Sequence, residues 1–135
     1  MEGDALAGLR LLIVEDEALI AMTLEDMLCQ LGCLVVGVAG TATRAMALAE
    51  DRSLSIDGAI LDVNLGGEMV YPAATRLVER RVPFVFCTGY GKAGLAAEFA
   101  HVPTLGKPYR EDQLRDLILD GLVSRQPGRR QRNLR

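Results

Sequence analysis

Aromatic residues are scarce in this sequence, which has no Trp, three Phe and three Tyr in 135 residues. Half of the chain is nevertheless hydrophobic, so we expect one globular domain with a core of Leu, Val, Ile, Ala and Met. No apolar stretch approaches the length of a membrane span. Residues 1–4 are acidic and lack the basic start of a secretory signal. We therefore expect a cytoplasmic protein that does not associate with membranes.

Cysteine and histidine are also rare. The sequence has three cysteines, Cys29, Cys33 and Cys87. An odd number without the paired spacing of metal ligands argues against both a disulfide framework and a zinc site. We interpret all three as small, reduced core residues. His101 has no Cys or His neighbour, which argues against a metal role. Nor is there a Gly-rich phosphate loop followed by Lys-Ser or Lys-Thr, so nucleotide binding is unsupported.

Positive charge is concentrated at the C-terminus. Residues 125–135 contain five arginines and no acid, so the rest of a chain whose net charge is −3 carries −8. Because a DNA backbone demands positive charge from its partner, we do not expect the acidic domain to bind nucleic acid. Residues 124–135 are rich in Gln, Pro, Gly, Arg and Asn, a composition that predicts a disordered tail.

Strand and helix patterns alternate along residues 9–123. The five predicted strands cover residues 9–14, 34–38, 58–61, 82–87 and 103–105. The predicted helices cover residues 17–31, 41–51, 71–81, 93–99 and 111–123. We expect the first helix to turn Leu19, Ile20, Leu24, Met27, Leu28 and Leu31 inward and to end at Gly32. This alternation predicts an α/β domain whose five-stranded, doubly wound parallel sheet is covered by helices on both faces.

Polar residues follow four of these strands where the apolar run stops. Glu15 and Asp16 follow the first strand, Asp62 the third, Thr88 the fourth, and Lys107 the fifth. Because ligands bind at the carboxyl ends of parallel strands, we expect these side chains to meet at one edge of the sheet. Three carboxylates, a hydroxyl and an ammonium group suit a divalent cation and a phosphoryl group.

Each position has a chemical role that fits this edge. Asp62 is the candidate nucleophile, because a carboxylate can accept a phosphoryl group to form an acyl phosphate. Glu15 and Asp16 would hold Mg²⁺ directly or through water. Thr88 would donate to a phosphoryl oxygen, and Lys107 would pair with Asp62 or with the phosphate. Taken singly, each residue also fits an ordinary helix start or turn. The interpretation depends on the joint arrangement along the chain.

The chain resembles the receiver domain of bacterial two-component response regulators over about residues 9–123, with residues 1–8 as an extension. The resemblance is carried by Glu15-Asp16, Asp62, Thr88 and Lys107-Pro108. It implies the flavodoxin-like strand order 2-1-3-4-5. It also implies that Asp62 is the phosphorylated and catalytic residue and that Thr88 and Lys107 bind the phosphoryl group. The implied Mg²⁺ ligands are Asp16, Asp62, the backbone carbonyl of Asn64, and Glu15 directly or through water.

Two departures from the usual receiver pattern define a subgroup. Many receivers carry an aromatic residue three positions before the lysine, where this chain has Thr104. Residues 86–91, Phe-Cys-Thr-Gly-Tyr-Gly, instead resemble the Phe-Ala-Thr-Gly-Tyr-Gly segment of receivers that are often stand-alone domains. That resemblance implies a sensor histidine kinase of the HWE or a related class as partner, and a downstream protein that the sequence does not identify.

Three interpretations remain open from the sequence. The first is a single-domain response regulator that signals through a partner or serves as a phosphate sink. The second is a Mg²⁺-dependent phosphohydrolase with an aspartyl-phosphate intermediate. Such enzymes usually have an acid two residues after the nucleophile, where this chain has Asn64, and a cap segment that is not evident here. The third is a receiver that forms part of a longer regulator, with the Arg-rich segment beginning a linker.

Overall fold

The structure is a computed structural model, and it describes residues 5–89 and 94–126. Its strands are β1 (Arg10–Val14), β2 (Leu34–Ala39), β3 (Gly58–Leu61), β4 (Asn64–Leu65), β5 (Glu68–Met69), β6 (Phe84–Thr88) and β7 (Thr104–Gly106). Its α-helices are α1 (Ala18–Gln30), α2 (Ala42–Glu50), α3 (Tyr71–Glu79) and α4 (Glu111–Gly121). Two 3-10 turns span Ala97–Phe99 and Val123–Arg125.

Five strands form one parallel sheet in the order β2-β1-β3-β6-β7. This is the predicted order 2-1-3-4-5, so the predicted fold is confirmed. The short strands β4 and β5 make a separate antiparallel hairpin. No helix in the described part of the chain is long and apolar enough to cross a membrane.

Each face of the sheet is buried beneath two helices. Leu11 and Ile13 of β1 belong to the cluster beneath α1 and α4, whereas Leu12 and Val14 belong to the cluster beneath α2 and α3. Successive side chains of a strand point to opposite faces, so a strand that is covered on both sides is apolar throughout. The largest fully buried side chains include Leu28 of α1 and Leu77 of α3.

Local sequence signals account for several helix ends. Thr41 accepts a hydrogen bond from the backbone N–H of Arg44 and so caps α2, and Pro72 lies in the first turn of α3. After α1, the chain adopts a φ of 94° at Gly32, a conformation that glycine tolerates without strain. The end of α1 at Gly32 is the one predicted from the sequence.

Some local predictions were wrong. Leu19 was expected to face inward but is 76% exposed, because α1 turns Ala21, Leu24 and Leu28 toward the sheet. Cys29 is exposed, whereas Cys33 and Cys87 are buried as expected, and all three are free thiols. In the described part of the predicted helix at residues 93–99, the chain forms the 3-10 turn Ala97–Phe99.

The packed unit extends beyond the predicted domain start at residue 9. Leu6 is fully buried in the core beneath α1 and α4, and the backbone N–H of Gly8 donates to the carbonyl of Gly32. At the other end, the side chain of Gln126 donates to the carbonyl of Leu122 at 3.1 Å. The predicted disorder of residues 127–135 lies outside the described residues.

Candidate functional site

Backbone hydrogen bonds at the carboxyl ends of β1 and β3 fix the first part of the site. The N–H of Glu15 donates to the carbonyl of Ala39 at 2.9 Å, and the N–H of Asp62 donates to the carbonyl of Val14 at 2.8 Å. Each residue therefore adds one more backbone hydrogen bond to a neighbouring strand, just beyond the end of its own strand. Their side chains therefore start from a backbone that the sheet holds in place.

The three predicted acidic residues meet in space. Glu15, Asp16 and Asp62 each place a carboxylate oxygen within 4.8 Å of the other two. Glu15 and Asp62 are buried and Asp16 is exposed. Three neighbouring carboxylates repel one another unless positive charge lies between them.

Lys107 supplies that positive charge in the described structure. Its Nζ donates to Asp62 Oδ2 at 3.1 Å and also to Glu15 Oε1. The pairing with Asp62 was predicted, whereas the pairing with Glu15 was not. The second Glu15 oxygen accepts the backbone N–H of Glu17 at 3.2 Å. The charge of Glu15 is thus matched by two donors inside the cleft.

Burial and pairing act in opposite directions on the titration of these groups. Burial raises the pKa of the Glu15 carboxyl, and the hydrogen bonds from Lys107 and Glu17 oppose this only in part. Burial also disfavours the charged form of Lys107, but its hydrogen bonds to Glu15 and Asp62 outweigh this effect and raise its pKa. Lys107 is therefore an ammonium group at neutral pH.

Thr88 lies on the other side of the cleft, where it ends β6. It is 1% exposed, and its backbone carbonyl accepts the N–H of Lys107 at 3.0 Å. The last pair of β6 and β7 joins Thr88 to Gly106, the residue before Lys107. The two predicted phosphoryl-binding residues are therefore placed by the same strand pair. Tyr90 and Gly91, which complete the subgroup motif, lie outside the described residues.

The hairpin β4–β5 forms a wall of the cleft. Gly66 and Gly67 have φ angles of 65° and 101°, the left-handed pair that a tight two-residue hairpin requires. Asn64 Oδ1 accepts the N–H of Gly67 at 2.7 Å and closes this turn. Two strand-like segments separated by a Gly-Gly pair are typical of a β-hairpin, so the hairpin could have been predicted from Gly66 and Gly67.

Together these elements enclose a cleft of about 550 Å³ lined by Asp16, Asp62, Asn64, Thr88 and Lys107, with Gly66 and Gly67 on the hairpin side. All the predicted site residues except Glu15 line this cleft, and Glu15 lies directly behind it, bonded to Lys107. The donor set fits a small, hard cation, because carboxylate and carbonyl oxygens are the ligands that Mg²⁺ takes in proteins.

This fold and this acidic edge define the class of protein. The profile of the response regulator receiver domain matches residues 11–119, and the chain belongs to that family. Receivers are phosphoacceptor signalling modules rather than conventional enzymes. The acidic cluster of Glu15, Asp16 and Asp62 is typical of the receiver Mg²⁺ site.

Particular relatives can also be named. SdrG from Sphingomonas melonis Fr1 is 44% identical with a TM-score of 0.73, over 83% of this chain and 94% of that one. A BeF3-activated conformation of SdrG is 43% identical with a TM-score of 0.71, over 84% of this chain and 95% of that one. PdtaR of Mycobacterium tuberculosis is 34% identical over 87% of this chain and 57% of its own length. PhyR of Methylorubrum extorquens is 36% identical over 89% of this chain and 46% of its own length. This chain spans about half the length of the last two proteins.

Proposed function

We propose that this receiver takes a phosphoryl group from the phosphohistidine of a sensor histidine kinase onto Asp62. The observation that carries the proposal is the contact of Asp62 with Lys107 at 3.1 Å, inside a cluster that also holds Glu15 and Asp16. In this reaction the Asp62 carboxylate attacks phosphorus, the P–N bond to the imidazole breaks, and the ring leaves with its electron pair. When the other ring nitrogen of the phosphohistidine carries a proton, the products are an acyl phosphate on Asp62 and a neutral histidine.

The surrounding side chains bind and orient the transferred group. The Lys107 ammonium, which pairs with Asp62 before transfer, can follow the negative charge to a phosphoryl oxygen. Thr88 ends β6 beside Lys107 and lines the same cleft, and its hydroxyl would donate to another oxygen. Glu15 stays paired with Lys107 and limits how far the ammonium can move.

The carboxylates also carry the proposed metal site. Asp16 and Asp62 would hold Mg²⁺ with the backbone carbonyl of Asn64, and Glu15 would act directly or through water. When bound there, Mg²⁺ neutralises charge on the phosphoryl oxygens. The turn bond from Gly67 to Asn64 supports this assignment because it fixes the backbone that presents that carbonyl.

We further propose that the chain acts as a single receiver unit, about residues 9–123, that signals through a downstream protein or serves as a phosphate sink. The solved SdrG chain supports this, because the match covers 94% of its length. The kinase would be of the HWE or a related class, as the Phe-Cys-Thr-Gly-Tyr-Gly segment implies. Buried free thiols at Cys33 and Cys87 are consistent with a reduced, cytoplasmic setting.

A direct test is to incubate the protein with acetyl phosphate or phosphoramidate and Mg²⁺, and to map any added phosphoryl group by mass. We expect a single label on Asp62 that hydroxylamine removes, as it does from acyl phosphates. Asp62→Asn preserves the size of the side chain and removes the nucleophile. If the Asp62→Asn variant retains the label, the acceptor assignment is wrong.

A further inference from the structure

A second cavity lies at the opposite edge of the sheet from the acceptor cleft. It has a volume of about 520 Å³ and is formed by the C-terminal part of α3, the start of β6 and the residues before β7. We call it the amino-edge groove. None of its lining residues belongs to the acceptor cleft. It is therefore a separate feature of the domain.

The floor of the amino-edge groove is apolar. Phe84, Phe99 and Val102 form its base, and Val78 and Pro83 rise beside them. Val78 is 56% exposed and adds apolar surface beside them. The 3-10 turn Ala97–Phe99, in the described part of the connection from β6 to β7, contributes Glu98 and Phe99 to the groove.

Two arginines and one acid flank this floor. Arg81 and Arg125 line the groove together with His101, and Glu98 is the one acid among its lining residues. Within residues 5–89 and 94–126, neither guanidinium has an ion-pair partner. The chain before residue 125 carries a net charge of −8, so a basic rim on this domain is a local reversal of sign.

We propose that the amino-edge groove binds an acidic, amphipathic helical segment of a partner protein. The apolar floor would accept Leu-type or Val-type side chains from one face of that helix, and Arg81 and Arg125 would pair with carboxylates beside them. The charge argues against the chain's own C-terminus as occupant, because residues 127–135 hold four arginines and no acid. This inference goes beyond the proposed function and does not depend on phosphorylation of Asp62.

The test uses two synthetic amphipathic peptides of about 14 residues, or four helical turns. Both carry Leu at every third or fourth position, and the remaining positions are mostly Glu in one peptide and mostly Lys in the other. Each is titrated into the full ¹⁵N-labelled chain and followed by NMR. We expect the acidic peptide to shift amides around Val78, Arg81 and Val102 and to bind about tenfold more tightly than the basic one.

Variants separate the contributions of charge and apolar surface. Arg81 has a φ of 60°, so Arg81→Asn removes the charge with a residue that tolerates this conformation. We expect Arg81→Asn to weaken acidic-peptide binding about threefold, and Arg81→Asn with Arg125→Gln about tenfold. Val78→Ser, at an exposed position, should weaken it as well. Arg44→Gln, on exposed α2, makes the same charge change elsewhere and should leave binding unchanged.

Three results would overturn the proposal. The first is equal affinity for both peptides, and the second is shifts confined to residues outside the groove. The third is a concentration-dependent dimer in sedimentation that Arg81→Asn abolishes, which would assign the groove to a second copy of the chain. Because phosphorylation of Asp62 is measured separately by mass, failure of the groove proposal leaves the acceptor assignment untouched.

Discussion

The two sides of the acceptor cleft are built differently. The carboxylate side consists of Glu15, Asp16 and Asp62 at the ends of β1 and β3, and the phosphate side consists of Thr88 and Lys107 at the ends of β6 and β7. On the carboxylate side, β1 lies between two strands and leads into the 13-residue helix α1. On the phosphate side, β7 has three residues and is the edge strand of the sheet.

This difference suggests a division of labour. Groups that must be in place before transfer, the nucleophile and the metal ligands, are fixed by central strands and regular helices. Of the groups that must respond to the arriving phosphoryl group, Lys107 follows the short edge strand β7, and Thr88 ends β6 just before the connection to β7. Rigid placement favours catalysis by preorganisation, whereas a weakly supported element can shift with modest new contacts.

The largest expected effect compares one residue from each side. Asp16→Asn should abolish Mg²⁺-dependent labelling of Asp62, because it removes an exposed carboxylate from the metal cluster. Thr88→Ala should slow labelling only, by roughly 10- to 100-fold, which corresponds to the loss of one charged hydrogen bond while Lys107 remains. The measurement is the initial rate of labelling by acetyl phosphate across a Mg²⁺ titration.

Thr88→Ser is the matched control, because it keeps the hydroxyl at this buried position. It should label at a rate close to that of the unmodified chain. If Thr88→Ala loses as much activity as Asp16→Asn, both sides are equally necessary before transfer, and the proposed division is wrong.

The sequence predicted the strands and the residues that follow them better than the connection between β6 and β7, for a physical reason. Buried parallel strands are continuous apolar runs, so the points where they stop are visible, and with them the positions of Asp16, Asp62 and Thr88. The two-faced core follows from the same runs, whereas the strand order was implied by the resemblance to receiver domains. The connection after β6 has no such pattern. Its described part is held by tertiary contacts rather than local propensity, and the predicted helix there was wrong.

Contacts between residues far apart in the sequence could not be predicted either. The Glu15–Lys107 pair joins residues separated by 92 positions, and nothing in either local segment indicates it. The same holds for Arg80, whose guanidinium donates to the carbonyls of Ala49 and Leu54, both at 2.9 Å. Such bonds depend on how α2 and α3 pack.

The second expected effect concerns how β6 is held from the other face. A methyl group at Gly121 of α4 would lie 2.4 Å from Cγ1 of Val85 in β6, which is far inside van der Waals contact. Gly121→Ala should therefore lower the free energy of unfolding by about 1–3 kcal/mol, although Ala is normally the better helix residue. Urea denaturation measures the change.

Gly106→Ala is the control for this prediction, because a Cβ at Gly106 meets no atom within 4 Å. It should change stability by less than about 0.5 kcal/mol. If Gly121→Ala stabilises the protein instead, α4 can move away from β6, and the phosphate side is loosely held on both faces rather than on one.

The third effect compares two buried thiols, Cys33 at the start of β2 and Cys87 in β6. Burial raises the pKa of Cys33 to about 11 and the pKa of Cys87 to about 12. Because the thiolate is the reactive form, iodoacetamide should modify Cys33 roughly tenfold faster than Cys87 at a given pH. Both rates should rise about tenfold per pH unit up to about pH 10, since the thiolate fraction does so while the pH stays well below both pKa values.

Exposed Cys29 serves as the internal reference and should be modified first. Peptide mass spectrometry of a quenched time course gives all three rates in one sample. A Cys87 rate above that of Cys33 would mean that β6 opens in the native protein. On the phosphate side, β6 itself would then be mobile, and not only the connection from β6 to β7.

The smallest expected effect concerns the contact that holds this connection. The ring of Tyr71, at the start of α3, stacks on Phe99 with centroids 5.1 Å apart and planes at 7°. Its hydroxyl accepts the N–H of Ala96 at 2.9 Å and donates to the carbonyl of Gly94 at 3.4 Å. Phe99 also meets Phe86, two residues before Thr88, edge to face at 6.1 Å. Tyr71 therefore links the described part of the connection to the strand that carries Thr88.

Tyr71→Phe keeps the stacked ring and removes only the hydroxyl. We expect the Ala96 amide to exchange with solvent about fivefold faster, equivalent to about 1 kcal/mol for one lost hydrogen bond, while global stability changes little. Tyr109→Phe, on the opposite face of the sheet, should leave Ala96 unchanged. If Tyr71→Phe slowed global refolding or lowered overall stability by the same amount, about 1 kcal/mol, the two sides of the cleft would differ little in rigidity. The connection would then unfold with the whole domain, and it could not respond to the phosphoryl group by itself.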